Sequence, residues 1–142
     1  MAEDFSACAA KVHVRFKQPV KPAEMQKMIE DLMTRIALDC VNAGTRLIGH
    51  IKCIAEVEQG KYIACSVTTH DGKPRCSGSF GTDSEKMDII INVLQYGLDK
   101  ETIESILNRE AVTGFGDASQ VTVEDLDDHE HDVCADELLI CQ

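Results

Sequence analysis

Apolar and polar residues alternate along this chain with two distinct periods. Across residues 22–43, Met25, Met28, Ile29, Leu32, Met33, Ile36, Cys40 and Val41 recur every three or four positions. Glu24, Lys27, Glu30, Asp31, Thr34 and Asp39 fall on the opposite side. That spacing predicts an amphipathic helix with one apolar face, which must lie on another element. Pro22 suits the first helical position, where its missing N–H would be unpaired anyway, and Gly44 supplies the positive φ that commonly ends a helix.

Elsewhere the period is two. In Lys11-Val12-His13-Val14-Arg15-Phe16 the apolar residues take one side and the basic residues the other, which predicts a half-buried strand. Pro19 and Pro22 then make the turn into the helix. After Gly44, residues 49–57 alternate again, with Ile51, Cys53, Ala55 and Val57 inward. A short turn at Glu58-Gln59-Gly60 leads to a strand over 61–69. Asp71-Gly72 reads as a tight hairpin turn and implies a further strand over 74–80. The segment 87–96 carries conflicting signals. Thr82 and Glu85 resemble a capping box and Gly97 a helix stop, but Ile89, Ile90, Ile91 and Val93 are β-branched, and the segment is assigned as a strand. Asp99 is a good N-cap for a helix from Lys100 to Glu110, with Ile103, Ile106 and Leu107 inward.

The predicted order is β-α-β-β-β-β-α. The economical way to bury such a set is an α+β two-layer sandwich, a largely antiparallel four- to five-stranded sheet with two helices on one face. Of the 25 acidic residues, nine follow Gly114, with no Lys or Arg among them. The body before it therefore holds 16 acids against all 14 bases, close to neutral, although the whole chain carries −11. The domain is accordingly placed at 1–113, and 114–142 is expected to be a flexible acidic tail. Its last apolar residues, Leu138-Leu139-Ile140, are able to dock back or add a strand.

A body this neutral with an acidic tail does not suit phosphate backbones, so nucleic acid is not an expected partner. No apolar run approaches the roughly 18 residues that span a bilayer, and the first residues lack a signal-peptide pattern, so a cytoplasmic protein without a membrane partner is expected. Aromatics make up 4% and Trp is absent, leaving aliphatic residues, Met, Ala and Cys to build the core. The seven cysteines include no C-x-x-C pair, and Cys40, Cys53 and Cys65 fall inside apolar patterns, so reduced, buried thiols are expected.

Candidate chemistry is confined to two places. Asp127-Asp128-His129-Glu130-His131-Asp132-Val133-Cys134 packs imidazoles, carboxylates and a thiol into eight residues. His129, His131, Asp132 and Cys134 are candidate ligands for a transition metal ion such as zinc, nickel or cobalt, set against the reading of the same run as a solvated acidic tail. On the outward side of the predicted strands, His13, Arg15, His50 and Lys52, joined by Ile54 and Tyr62, are candidates for an anion or partner surface, against the reading of a merely wet sheet face. No nucleophile elbow, phosphate loop, dinucleotide fingerprint or H-E-x-x-H is present, so a binding role is favoured over an enzymatic one.

The run Gly49-His50-Ile51-Lys52, the two tight turns, and Ile91-Asn92-Val93-Leu94 through Tyr96-Gly97-Leu98 to the helix from Lys100 resemble the accessory C-terminal region of CobW-type metallochaperone GTPases. The resemblance covers residues 49–110. The GTPase with its phosphate loop and its cysteine metal motif is missing, so no catalytic residue carries over. What it implies is an accessory domain near metal or cofactor handling. The expected function is a non-enzymatic binding or accessory domain, in metal or cofactor trafficking; the alternative is a protein–protein adaptor or regulatory subunit using the acidic tail and the open sheet face. Either brings a protein partner or a second copy of the chain.

Overall fold

The alternation that marks the first strand runs well beyond the six residues that announce it. In the computed structural model, which describes residues 5–116 and 119–126, β1 extends over Phe5–Val20 and α1 over Pro22–Ala43. β2 (Leu47–Glu56), a single 3-10 turn, β3 (Tyr62–Val67), β4 (Arg75–Ser79) and β5 (Ser84–Tyr96) follow, then α2 (Lys100–Thr113) and β6 (Ser119–Asp125). The six strands form one open antiparallel sheet in the order β4-β3-β2-β5-β1-β6. Both helices lie on the same face, α1 over β2 and β3, α2 over β1 and β6. The α+β sandwich is thus the observed architecture, with six strands where four or five were expected.

The added strand comes from the stretch assigned to the acidic tail. In β6, Val121 and Val123 turn inward and pack against the core, while Thr122 and Glu124 face out, so the acids do not prevent pairing with β1. Residues 127–142 lie outside the described residues. The segment 87–96 is part of a strand: β5 pairs with β1 on one side and with β2 on the other, which makes it the sheet's central ladder.

Helix α1 begins at Pro22 and ends at Gly44, whose φ is 121° and whose N–H bonds back to Cys40 and Val41 carbonyls. Met25, Ile29, Leu32, Met33, Ile36, Ala37 and Cys40 are buried along its stripe, against Val12, Ile51, Cys53, Ile63, Met87, Ile89 and Ile91 of the sheet. Asp99 caps α2 by accepting from the Thr102 N–H at 2.9 Å. Two pairs tie the helices together: Arg35 Nε donates to Glu110 Oε1 at 2.8 Å, and Arg109 Nη2 to Asp39 Oδ2 at 3.1 Å.

The expected hairpin forms, β3 pairing antiparallel with β4, but not through a two-residue turn at Asp71-Gly72: Ser66 pairs with Arg75, so the connection is a longer loop. Gly72 N–H bonds to the Thr69 carbonyl, and Asp71 accepts from the Lys73 N–H and the Thr69 hydroxyl. These bonds, the Thr69 hydroxyl first, hold the Asp71 carboxyl below the usual carboxylate range. The loop is drawn onto α1, where Thr34 Oγ1 donates to the Gly72 carbonyl at 2.7 Å, and Pro74 has no N–H to extend the ladder. The thiol expectation also needs correction: Cys65 and Cys76 form a disulfide between β3 and β4. They are register partners, so the strand pairing brings the two sulfurs together, which linear spacing does not show. Cys8, Cys40 and Cys53 keep buried thiols.

One buried amide closes the end of the sheet. Gln95 is fully buried; its Nε2 donates to Ser6 Oγ and the Leu98 carbonyl, both at 2.8 Å, and its Oε1 accepts from Thr45 Oγ1 at 2.8 Å and Leu98 N–H at 3.1 Å. One side chain thereby fastens β1, the α1–β2 turn and the β5–α2 turn. Substituting Gln95→Leu strands donors and acceptors from three segments, and is expected to cost more than about 2 kcal/mol in urea denaturation; a loss within experimental error would show that the network contributes nothing.

The Glu110 carboxyl is held above its ordinary value, first by a hydrogen bond shared with the Asp39 carboxylate and then by burial, with Arg35 pulling the other way. A raised acid favours the protonated folded state. Its stabilisation is therefore complete below the ordinary Glu value of 4.5 and is lost as pH climbs through the raised one. The stability difference between wild type and Asp39→Asn should decline as pH rises from 4.5 towards neutrality; a flat or rising difference in urea midpoints would contradict this origin.

Candidate functional site

Because both helices occupy one side, the other side of the sheet is bare among the described residues, and alternation decides what it shows. β1 contributes Phe5, Ala7, Ala9, Lys11, His13 and Arg15; β5 contributes Lys86, Asp88, Ile90, Asn92, Leu94 and Tyr96; β2 contributes Leu47, His50, Lys52, Ile54 and Glu56. Register arranges these into rows. Leu47 pairs with Tyr96, and Tyr96 with Phe5; His50 with Leu94, and Leu94 with Ala7; Lys52 with Asn92, and Asn92 with Ala9. Further along, Ile54, Ile90, Lys11 and Glu124 share a row, then Glu56, Asp88, His13 and Thr122, then Lys86, Arg15 and Gln120. The face therefore grades from apolar at one end to charged at the other.

At the apolar end the Phe5 and Tyr96 rings lie 5.2 Å apart at a tilt of 57°. Phe5 and Leu47 at this end, Ile54 midway along the face and Tyr62 beside Glu56 in the charged row are 44%, 53%, 41% and 53% exposed, a large share for side chains of this size in a domain whose other sheet face is closed. At the charged end, His13 sits between two carboxylates, Nδ1 at 2.8 Å from Asp88 Oδ1 and Nε2 at 3.3 Å from Glu124 Oε1. An imidazolium donates to both; a neutral ring donates to only one. The surface dips there into an open depression of about 400 Å³, lined by His13, Arg15, Lys86, Asp88, Gln120 and Thr122.

The four residues singled out on the outward side are all placed on this face, but not together. β5 runs between the two strands, and the rows of His50 and Lys52 lie six and four residues of β1 away from His13. The two pairs are thus roughly 15–20 Å apart, given the rise per residue and the strand spacing. His13 and Arg15 belong to the charged depression; His50 and Lys52 border the apolar end. His50 is half-buried beside a register shift at Gly49. Burial, and then the Lys52 ammonium, push its pKa below the ordinary value of 6.5.

Lys86 and Asp88 in the depression, and Glu124 beside His13, were not singled out from sequence. The alternation of Lys86, Asp88 and Ile90 against Met87, Ile89 and Ile91 is the signal that places the first two. His129, His131, Asp132 and Cys134 lie outside the described residues. Among the described residues, no group of three or more His, Cys, Asp or Glu is arranged to hold a metal ion, and no helix is long and apolar enough to cross a membrane.

Fold and face together define an open-faced two-layer α+β domain. No family model matches the chain, and no curated protein matches it. Among solved structures it is similar to the Zn(II)-bound YjiA GTPase from E. coli and to a Zn(II)-bound triple mutant of YjiA, each with a TM-score of 0.37 and 12% identity over 75% of this chain and 29% of theirs. A likeness at that level does not carry an activity across, and the chain spans less than a third of those proteins' length.

His50 should titrate below 6.5 in a proton NMR titration, and Lys52→Ala should move it part of the way back, because burial remains. A midpoint that does not respond to the substitution would remove Lys52 as a cause.

Proposed function

We propose that this is a non-enzymatic binding or accessory domain whose working surface is the bare face of its sheet. The observation that supports the reading is the set of exposed Phe5, Leu47, Ile54 and Tyr62 on a face that no helix of the domain covers. A graded surface of this kind suits a protein partner: the apolar end supplies area to remove from water, and the end around His13, Arg15, Lys86 and Asp88 supplies charge that orients the encounter. The adaptor or regulatory-subunit version rests on this same face, with the acidic tail as a second contact for a basic partner.

Metal or cofactor trafficking is the context that the CobW resemblance implies. In that version His129, His131, Asp132 and Cys134 are the residues that would take a transition metal ion, and the sheet face engages the protein that supplies or receives it.

The double substitution Ile54→Asp, Tyr62→Ser should leave circular dichroism unchanged and weaken partner capture at least about tenfold. Leu38→Asp, an exposed residue of the helical side, should leave capture intact; equal loss in both would remove the sheet face from the reading. For the metal version, zinc, nickel and cobalt titrations of the full chain should lose affinity in His129→Ala, His131→Ala, Cys134→Ser, and unchanged affinity would exclude those ligands.

A further inference from the structure

Three cysteines stand side by side across neighbouring strands. Register sets Cys53 of β2 opposite Cys65 of β3, and Cys65 opposite Cys76 of β4. The Cys65–Cys76 disulfide joins residues 11 apart in sequence, with Cα atoms 4.1 Å apart. Cys53 keeps its thiol, is buried, and takes a hydrogen bond from the Cys65 backbone. Burial pushes that thiol up to about 12, so Cys53 is protonated and a poor nucleophile near neutrality. The two bonded residues are unequally buried: Cys65 is buried and Cys76 only partly so.

Between the Thr34–Gly72 bond and the buried Phe80, β4 itself has few other holds. Among the described residues it is an edge strand that hydrogen-bonds to β3 alone. Arg75, Ser77, Gly78 and Ser79 of its five residues are exposed, so apolar burial contributes little to keeping it in place. Gly78, at φ 100°, sits where a Cβ would come within 2.5 Å of the Tyr62 carbonyl oxygen, so the strand presses its backbone on β3 without a side chain between them.

We propose that the Cys65–Cys76 bond is a reversible redox latch on this edge strand, opened by a dithiol reductant. One thiolate of the reductant attacks Sγ of Cys76, the less buried of the two residues. The disulfide breaks, and its electron pair passes to Cys65 Sγ, which takes up a proton. The second thiol of the reductant, deprotonated, then attacks the reductant's own sulfur in the mixed disulfide. Cys76 leaves as a thiolate and is protonated, and the reductant departs as its own disulfide, two electrons poorer. With the latch open, β4 keeps its ladder and the anchors on either side of it, the Thr34–Gly72 bond and the buried Phe80, and the exposed stretch between them has nothing else to hold it. The strand frays and uncovers the backbone edge of β3, a template for pairing with an extended segment. This latch lies at the opposite edge of the sheet from His13, and it does not depend on the reading of the bare face.

The test uses the full chain, equilibrated with oxidised glutathione or with dithiothreitol. Peptide mapping without reduction should recover a Cys65–Cys76 cross-link from the oxidised protein. Hydrogen exchange over 62–67 and 75–79 should quicken at least about tenfold on reduction, with β1 and β5 unchanged. Cys76→Ser should exchange fast in both buffers, while Cys40→Ser should respond as wild type does. Absence of the cross-link after oxidation overturns the proposal. So does a cross-linked protein whose β3 and β4 amides exchange at the same rate in both buffers.

Discussion

Two helices cannot roof both sides of a six-stranded sheet, and the rest of the structure follows from that constraint. With α1 over β2 and β3 and α2 over β1 and β6, the inward positions close a mainly aliphatic and methionine core that also holds Phe16, cysteines and the buried Gln95, and the outward positions are left to themselves. Strand alternation then does two jobs at once. It closes a core almost free of aromatic rings, and it prints a second pattern on the other side that the core does not need. Phe5, Leu47, Ile54 and Tyr62 belong to that second pattern. Apart from the Phe5–Tyr96 ring contact, no packing among the described residues accounts for their being large and apolar, which is why the functional reading rests on them.

Legibility in the sequence tracked how local each cause was. Helix α1 was readable to its end residues because the Pro22 start, the Gly44 stop and a three-and-four spacing all act within a few positions. The Asp99 cap was readable for the same reason. In β5 the alternation is blurred, because Ile90 and Leu94 on the outer side are as apolar as Ile89, Ile91 and Val93 on the inner one. There the β-branched residues decided correctly between strand and helix. The β3–β4 connection went the other way. A local turn signal at Asp71-Gly72 was overridden by a tertiary contact, the Thr34 hydroxyl on the Gly72 carbonyl, which no short-range rule contains.

The candidate site was partly legible. Which side of the sheet His13, Arg15, His50 and Lys52 face follows from period two; that β5 separates the first pair from the second requires the strand order. Glu124 reached His13 only because part of an acid-rich stretch became β6. Net charge hid the alternation of Val121 and Val123 within it. The cysteines make the same point. Cys65 and Cys76 read as two small apolar residues until pairing sets one across from the other.

β1 has a consequence of another kind. It pairs with residues 84–96 and with residues 119–125, but with neither α1 nor β2, which follow it directly. The β2–β3–β4 meander closes from neighbouring segments, whereas β1 must wait for partners far down the chain. High contact order of this sort slows the search, because long loops must close before the ladder rewards them. During synthesis, residues 5–20 emerge before β5 and β6 and are among the last to be satisfied. Until β5 arrives, Val12, Val14 and Phe16 form an unpaired apolar stripe, the most chaperone-dependent moment in the life of the molecule.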